Sequence, residues 1–226
     1  MFMDIFYTFF SYIFFSYLLG SIPFGHIITK LSTKKNILEI GWRKTSGSNV
    51  FKNVGKWQGT LTGILDVLKG FLAVFLAQKL GFPLYIQALS GVAAVSGHNW
   101  SCFIRFAGGR GIGTLIGAFF ALSPGILKLS LIPFVILALI WNASIGTILF
   151  LLTSIILGFY FQVETVIILC AVSLIPVFIK RLSPIKELKR AENRKSLFLN
   201  RLIFDNDKPC FDLRIKRIFK RAGWFG

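Results

Sequence analysis

A glycine-rich segment with a central arginine is the part of this sequence best suited to chemistry. Gly108, Gly109, Arg110 and Gly111 stand between two apolar runs. Glycine lets backbone N–H groups approach an anion closely, and the guanidinium group is a planar, permanently charged fork that suits phosphate. Thr114 lies at the start of the helix expected after this loop, where free N–H groups also favour an anion. The segment therefore predicts a phosphate site. A tight turn between two membrane helices, with Arg110 as a topology marker, is the alternative.

Two charged residues lie inside an apolar run. Asp66 and Lys69 are three residues apart and so share one face of a helix. Because both are costly when they face lipid, we expect them to point into the bundle and to pair with each other or with loop groups. A packing salt bridge is the alternative to a functional role. His98 ends another apolar run beside the glycine loop, where it is either an ordinary interface residue or a group that donates to phosphate or positions the loop.

The composition indicates a membrane protein. Hydrophobic residues make up 54% of the 226 residues, phenylalanine occurs 25 times, and the mean hydropathy is +0.69. The net charge of +17 is concentrated in loops and in the C-terminal tail, which is the positive-inside pattern and not a nucleic-acid platform. The three cysteines have neither CxxC spacing nor an obvious pairing, so we expect free thiols, no disulfide framework and no zinc site. We expect no cofactor.

The hydrophobic pattern predicts an all-α integral membrane protein with about seven transmembrane helices. The N-terminus is expected outside and the C-terminus in the cytoplasm, because a basic cluster follows the first run. That run lacks a basic n-region and a cleavage site, so it is expected to be a retained span. Residues 20–25, GSIPFG, predict a break near its inner end. The seven apolar runs are residues 2–30, 60–78, 85–100, 112–122, 126–141, 144–161 and 163–179.

Two further regions are polar. Residues 31–59 contain small, hydroxyl-bearing and basic residues, a composition typical of a solvated cytoplasmic loop. The sequence divides into a membrane domain over residues 1–180 and a basic cytoplasmic tail over residues 181–226. Within the tail, residues 213–221 alternate apolar and basic side chains, and we expect this segment to lie on anionic lipid.

Three segments together resemble one family. Residues 20–30 read GSIPFGHIITK, residues 49–70 read NVFKNVGKWQGTLTGILDVLKG, and residues 97–114 read GHNWSCFIRFAGGRGIGT. In order and spacing they resemble the bacterial PlsY-type membrane glycerol-3-phosphate acyltransferases, which carry GSIPFG-like, GSGNxGATNxxR, DxxKG and GHxxPxFxxFxGGKGVAT motifs. Each motif alone is weak, but their order over residues 15–180 predicts membership of the family.

The resemblance implies an enzyme of the bacterial inner membrane. Its relatives transfer an acyl chain from acyl phosphate to the 1-hydroxyl of glycerol 3-phosphate, which gives lysophosphatidate and phosphate for phospholipid synthesis. A soluble phosphate acyltransferase supplies the donor, and the family uses neither an acyl-enzyme nor a metal. A basic site without a Ser-His-Asp arrangement suits this reaction, because both substrates are anions and the donor is already activated.

The residues and the resemblance together give a set of candidate site residues. The catalytic candidates are Ser48, Lys52, Arg110 and His98; the phosphate-binding candidates are Gly108, Gly109, Arg110, Gly111, Asn49 and Thr114; and the supporting candidates are Ser21, Asp66 and Lys69.

Several of these positions depart from the family motifs. Arg110 and Lys52 stand where the family has lysine and arginine, and Ser101 stands where it has proline. The motif serine aligns with Trp42 without a gap and with Ser48 if a stretch is missing. The last family motif, HRxNIxRL, is not cleanly present: Arg181 lies near its position, and Arg190 with Asn193 is a looser candidate.

These departures keep a second function open. In that alternative the chain is a diverged paralogue that binds anions or lipid without catalysis. A small transporter also fits the helix count, but the polar loops gather on one face, whereas a transport path needs polar lining throughout.

Overall fold

A computed structural model describes residues 2–191 and 193–209, apart from the side chains of residues 2, 186 and 189. All regular secondary structure in these ranges is helical, as the sequence predicts. The α-helices are α1 Phe2–Ser21, α2 Phe24–Thr33, α3 Gly47–Asn53, α4 Lys56–Lys79, α5 Leu84–Asn99, α6 Ile112–Leu122, α7 Pro124–Ile140, α8 Ala143–Tyr160, α9 Glu164–Arg181, α10 Ile185–Arg190 and α11 Arg194–Phe204. Short 3-10 turns occupy Ile37–Glu39 and Cys102–Ile104.

Each of the seven predicted apolar runs is helical. Three helical segments are long and apolar enough to cross a bilayer, namely Met3–Thr33, Lys56–Lys79 and Ala143–Tyr160. Ile112–Leu122 and Pro124–Ile140 are shorter apolar helices. Large apolar side chains cover the outside of these helices, as lipid-facing surfaces require. The number of spans and the orientation of the termini remain predictions.

The predicted break in the first run is observed between α1 and α2. Pro23 has no backbone N–H to donate, so the α-helical pattern stops there. Lys69 Nζ, from α4, donates to the carbonyl oxygen of Ile22 at 3.0 Å. The N–H of Phe24 donates to the same oxygen at 3.1 Å, so a buried ammonium group adds a second hydrogen bond at the break. Irregular backbone inside a membrane domain needs such partners.

Close helix contacts through glycine bring the start of α6 against α4. A Cβ atom built on Gly117 would lie 1.8 Å from the carbonyl oxygen of Val67, and one on Gly70 would lie 1.9 Å from that of Thr114. Only glycine allows backbones to approach this closely. The contact fixes the end of the glycine loop beside the Asp66 turn of α4. Beyond it, toward the other end of the bundle, the core contains the fully buried side chains Val74, Leu115, Phe119, Phe150 and Leu169.

The segment expected to be a solvated loop, residues 31–59, is instead partly folded into the protein. It contains α3, and its side chains Ile37, Asn49 and Val50 are fully buried. A Cβ on Gly47 would lie 2.9 Å from the backbone nitrogen of Gly63 in α4, so α3 lies directly on that helix. Composition did not predict this, because the burial depends on a few apolar and amide side chains among many polar ones.

Described residues of the tail pack against the membrane helices. Arg181, at the end of α9, donates to the carbonyl oxygens of Leu202 at 2.8 Å and Ser144 at 2.7 Å, which ties α11 to α8 and α9. The predicted amphipathic segment, residues 213–221, lies outside the described residues. The division of the chain at residue 180 remains a prediction.

Candidate active site

A buried ionic cluster forms the base of the site. Lys69 Nζ lies 3.0 Å from Asp66 Oδ1, and His98 Nδ1 lies 3.3 Å from the same oxygen. All three side chains are buried. The pairing of Asp66 with Lys69 predicted from their spacing is therefore observed, and His98 joins it from α5. These buried charges compensate one another, and the cluster joins α4 to α5 and to the break after α1.

The glycine loop folds tightly onto the end of α5. The N–H of Gly109 donates to the carbonyl oxygen of His98 at 3.1 Å. A Cβ on Gly109 would lie 2.1 Å from His98 Nε2, and one on Gly108 would lie 2.3 Å from the His98 carbonyl oxygen. Both glycines are buried. The Gly109 N–H is therefore engaged within the chain, and the glycines provide close packing more than free amides for an anion. His98 contacts Asp66 with one ring nitrogen and the loop with the other, so it positions the loop.

The start of α6 is also internal. Gly111 caps the helix with a φ of 76°, in the left-handed region that favours glycine. The Thr114 hydroxyl is fully buried and has no hydrogen-bond partner among the described residues. Since the Thr114 backbone packs on Gly70, the structure places this residue in the α4–α6 interface and not on the surface of the loop.

Arg110 extends from the loop into a cluster of charges that the sequence did not reveal. Its Nε lies 2.9 Å from Asp205 Oδ2, and its Nη2 contacts Oδ1 of the same carboxylate. Its Nη1 donates to the carbonyl oxygen of Lys180. Lys44 Nζ lies 3.2 Å from Asp205 Oδ2. The fold therefore brings together four residues that are distant in sequence, namely residues 44, 110, 180 and 205.

Positive charge is in excess at this place. Burial lowers the pKa of Lys44, and the nearby guanidinium groups of Arg110 and Arg181 lower it further, although Asp205 opposes them. Lys180 adds another cation, whose Nζ lies over the Trp100 ring at 5.3 Å. A half-buried cluster with more cations than carboxylates is a suitable place for a phosphate group.

The three candidates on α3 divide into two groups. Asn49 is fully buried; its Oδ1 accepts from the N–H of Trp42 at 2.9 Å, and its Nδ2 donates to the carbonyl oxygen of Lys44 at 2.8 Å. It therefore holds the turn that carries Lys44. Ser48 and Lys52, one helical turn apart, are exposed.

The exposed pair has local partners. The Ser48 hydroxyl lies 3.3 Å from that of Ser46, and Lys52 Nζ lies 5.1 Å from the centre of the Trp42 ring. Trp42 thus lies beside Lys52, and Ser48 lies beside Ser46. These contacts do not distinguish the alignment of the family serine with Trp42 from its alignment with Ser48. Ser21, the remaining supporting candidate, is buried at the end of α1, and its carbonyl oxygen accepts a hydrogen bond from the Ser101 hydroxyl, which joins α1 to the segment before the glycine loop.

Comparison with known proteins places this arrangement in a family. The family model described as glycerol-3-phosphate acyltransferase matches residues 10–191. The chain belongs to this family. A glycerol-3-phosphate acyltransferase of Endomicrobium trichonymphae is 34% identical over 192 residues, which cover 83% of this chain and 96% of the relative. One from a Wolbachia pipientis strain is also 34% identical, over 79% of this chain and 94% of its own length.

The fold agrees with the family assignment. A crystal structure of PlsY (YgiH), an integral membrane glycerol 3-phosphate acyltransferase in its glycerol 3-phosphate form, is similar with a TM-score of 0.70 at 28% identity. The likeness covers 83% of this chain and 94% of that one. Together with the apolar helices, it identifies this acyltransferase family member as an integral membrane protein.

Proposed function

We propose that this protein acylates glycerol 3-phosphate to lysophosphatidate in phospholipid synthesis. The observation that carries the proposal is the family match over residues 10–191, together with the likeness to a PlsY structure in its glycerol 3-phosphate form. A second PlsY structure, in the lysophosphatidic acid form, is similar with a TM-score of 0.68. The alternative of a non-catalytic paralogue has no comparable support.

Following the resemblance of its motifs, the acyl donor is an acyl phosphate that a soluble phosphate acyltransferase supplies, and the acceptor is the 1-hydroxyl group. The protein then lies in the bacterial inner membrane with about seven spans, its N-terminus outside and its C-terminus in the cytoplasm. The hydroxyl oxygen attacks the acyl carbon, the bond from that carbon to the phosphate oxygen breaks, and the leaving phosphate takes the hydroxyl proton.

The cation cluster supports this chemistry. Arg110 offers two nitrogens in a fork and Lys44 adds a third donor beside them, which suits one phosphate group. Holding two anionic reactants together in a partly buried site is the main requirement of the reaction, because the donor is already activated. Lys180 and Arg181 add positive charge that offsets repulsion between the two substrates.

The remaining candidates have roles that fit their positions. Ser48 and Lys52 present a hydroxyl and an ammonium group from the exposed face of α3, where they are accessible to a substrate. His98 positions the glycine loop, and Asp66 with Lys69 fixes His98 and the break after α1. Asn49 holds the turn that carries Lys44.

Acyl transfer by the purified full-length protein in lipid tests the proposal. Palmitoyl phosphate and glycerol 3-phosphate are supplied, and lysophosphatidate is measured, with palmitoyl-CoA as the comparison donor. We expect product from palmitoyl phosphate. No product from either donor at saturating glycerol 3-phosphate would refute the proposed function, and product from palmitoyl-CoA alone would refute the donor. Growth rescue of a bacterial strain that lacks its own acyltransferase separates the enzyme from a non-catalytic paralogue.

A further inference from the structure

The guanidinium fork of Arg110 is filled by a carboxylate of the same chain. Nε and Nη2 of Arg110 contact Oδ2 and Oδ1 of Asp205, respectively, and Lys44 Nζ reaches Oδ2 at 3.2 Å. Arginine binds a phosphate group in the same way, with two guanidinium nitrogens facing two oxygens. The side chains of Arg110, Asp205 and Lys44 are 19%, 14% and 25% exposed, so the contact is partly accessible to solvent.

One carboxylate does not neutralise this cluster. Asp205 interacts electrostatically with three cations, Lys44, Arg110 and Arg181. A fourth cation, Lys180, interacts with Lys44 and Arg110. Three cations thus act on a group that carries a single negative charge, and a fourth lies close to two of them. A phosphate dianion brings twice that charge and more acceptor oxygens, and so matches the cluster better than the carboxylate does.

The helix that carries Asp205 is held by other contacts. Arg201, in α11, donates to the carbonyl oxygen of Pro184 at 3.2 Å and forms ion pairs with Glu187 and Asp207. Arg181 donates to the Leu202 carbonyl oxygen. Asp205 follows directly as the C-terminal cap of α11. Its carboxylate therefore reaches the cations from a docked helix and is not needed to dock it.

We propose that Asp205 occupies the place of a substrate phosphate group when no substrate is bound, and that Lys44 is a further ligand of that phosphate. This inference rests on the proposed function. Binding exchanges the carboxylate for phosphate on Arg110 and Lys44. Asp205 thereby keeps the cations ordered and sets the substrate concentration at which the site fills. Both substrates carry a phosphate group, and the experiment distinguishes which of them uses this place.

Asp205→Asn keeps the shape of the side chain and removes its charge, and Asp207→Asn is the matched control. Asp207 is two residues away, pairs with Arg201 and is largely exposed. We expect Asp205→Asn to lower the KM for one substrate about fivefold, which is the factor expected if the carboxylate occupies the site about 80% of the time. Asp207→Asn leaves that KM unchanged. The substrate whose KM falls is the one whose phosphate binds here.

Lys44→Met and Lys44→Arg complete the test. We expect Lys44→Met to raise the KM for the same substrate by about tenfold or more, as loss of a charge-assisted hydrogen bond does. Lys44→Arg restores most of the affinity, since it keeps the charge. If Asp205→Asn raises this KM or leaves it unchanged in an active protein, Asp205 only supports Arg110 and the inference fails.

Calorimetric titration with inorganic phosphate gives a readout that does not depend on turnover. The full chain in detergent is expected to bind phosphate about fivefold more tightly as Asp205→Asn than as wild type, and Asp207→Asn is expected to match wild type. A wild-type protein that transfers no acyl group refutes the proposed function, whereas unchanged phosphate binding in an active protein refutes only the role of Asp205.

Discussion

Lys69, in the middle of α4, donates a hydrogen bond of 3.0 Å to the carbonyl oxygen of Ile22, where the first helical run is broken. The same ammonium group lies 3.0 Å from Asp66 Oδ1. One side chain therefore compensates a buried carboxylate and a backbone acceptor that α1 no longer uses. Through Asp66 it also supports His98, on which the glycine loop rests.

Lys69→Met is expected to be strongly destabilising. It leaves the Asp66 carboxylate short of a partner and the Ile22 carbonyl oxygen with the N–H of Phe24 alone. Breaking a buried ion pair in this way costs about 3 kcal/mol or more. Thermal or denaturant unfolding in detergent measures the loss. Lys79→Met is the control, because Lys79 is exposed in the last turn of the same helix. Equal stability of the two variants would contradict this role of Lys69.

Gly109→Ala is expected to reduce acyl transfer by about 10²-fold, the loss that a catalytic group misplaced by about 1 Å produces. The new Cβ would lie 2.1 Å from His98 Nε2, so the loop that carries Arg110 has to move. The matched control is Gly113→Ala, whose Cβ meets nothing nearer than Asp66 Cβ at 3.4 Å. Steady-state kinetics in lipid, with an unfolding measurement on both variants, separates a displaced loop from lost folding. Full activity in Gly109→Ala would show that the loop position does not matter.

Arg110→Lys tests the departure from the family motif. Lysine keeps the positive charge but loses the fork, so we expect it to retain activity within about tenfold of wild type. Arg110→Met removes the charge and is expected to lose about 10²–10³-fold in kcat/KM, the typical cost of an electrostatic group at the reacting centre. The comparison of the two variants in one assay decides whether charge or shape is required. Equal losses in both would show that the site depends on the fork.

The sequence predicted the parts of this structure that depend on local pattern. The break at Pro23 follows from a missing N–H, and the Asp66–Lys69 pair follows from helical spacing together with the cost of exposing charge to lipid. Each of these features is determined by residues close together in the chain, so sequence reasoning reaches them. Apolar runs predicted the helices for the same reason.

Features that depend on distant contacts were not predicted. Asp205 is 95 residues from Arg110, and one aspartate in a polar tail has no distinguishing pattern. The role of Asn49 is similar, because an amide in a polar segment does not reveal that it is fully buried and holds the backbone of Lys44. The purpose of the glycines at 108 and 109 also became clear only from the carbonyl and ring of His98 beside them.

The lowered pKa of Lys44 predicts that activity and stability respond to alkaline pH in opposite directions. Because burial and neighbouring cations favour the neutral amine, the unfolded chain binds more protons than the folded one between the lowered pKa and the ordinary value of 10.5. The contribution of Lys44 to the free energy of unfolding therefore increases as the pH rises across this window. Phosphate binding needs the ammonium form, so the KM for the substrate concerned rises over the same window.

Lys44→Arg tests this relationship, because a guanidinium group stays charged throughout the range. Its KM is expected to rise less steeply over this window than the wild-type KM, because Lys180 remains as a titratable amine in the same cluster. In Asp205→Asn, the KM is expected to begin rising at a lower pH than in the wild type, since the lost carboxylate is the group that raises the pKa of Lys44. Kinetics as a function of pH, with unfolding followed in the same buffers, measures both effects. A wild-type KM that rises in parallel with that of Lys44→Arg would assign the pH dependence to another group and remove Lys44 from the phosphate site.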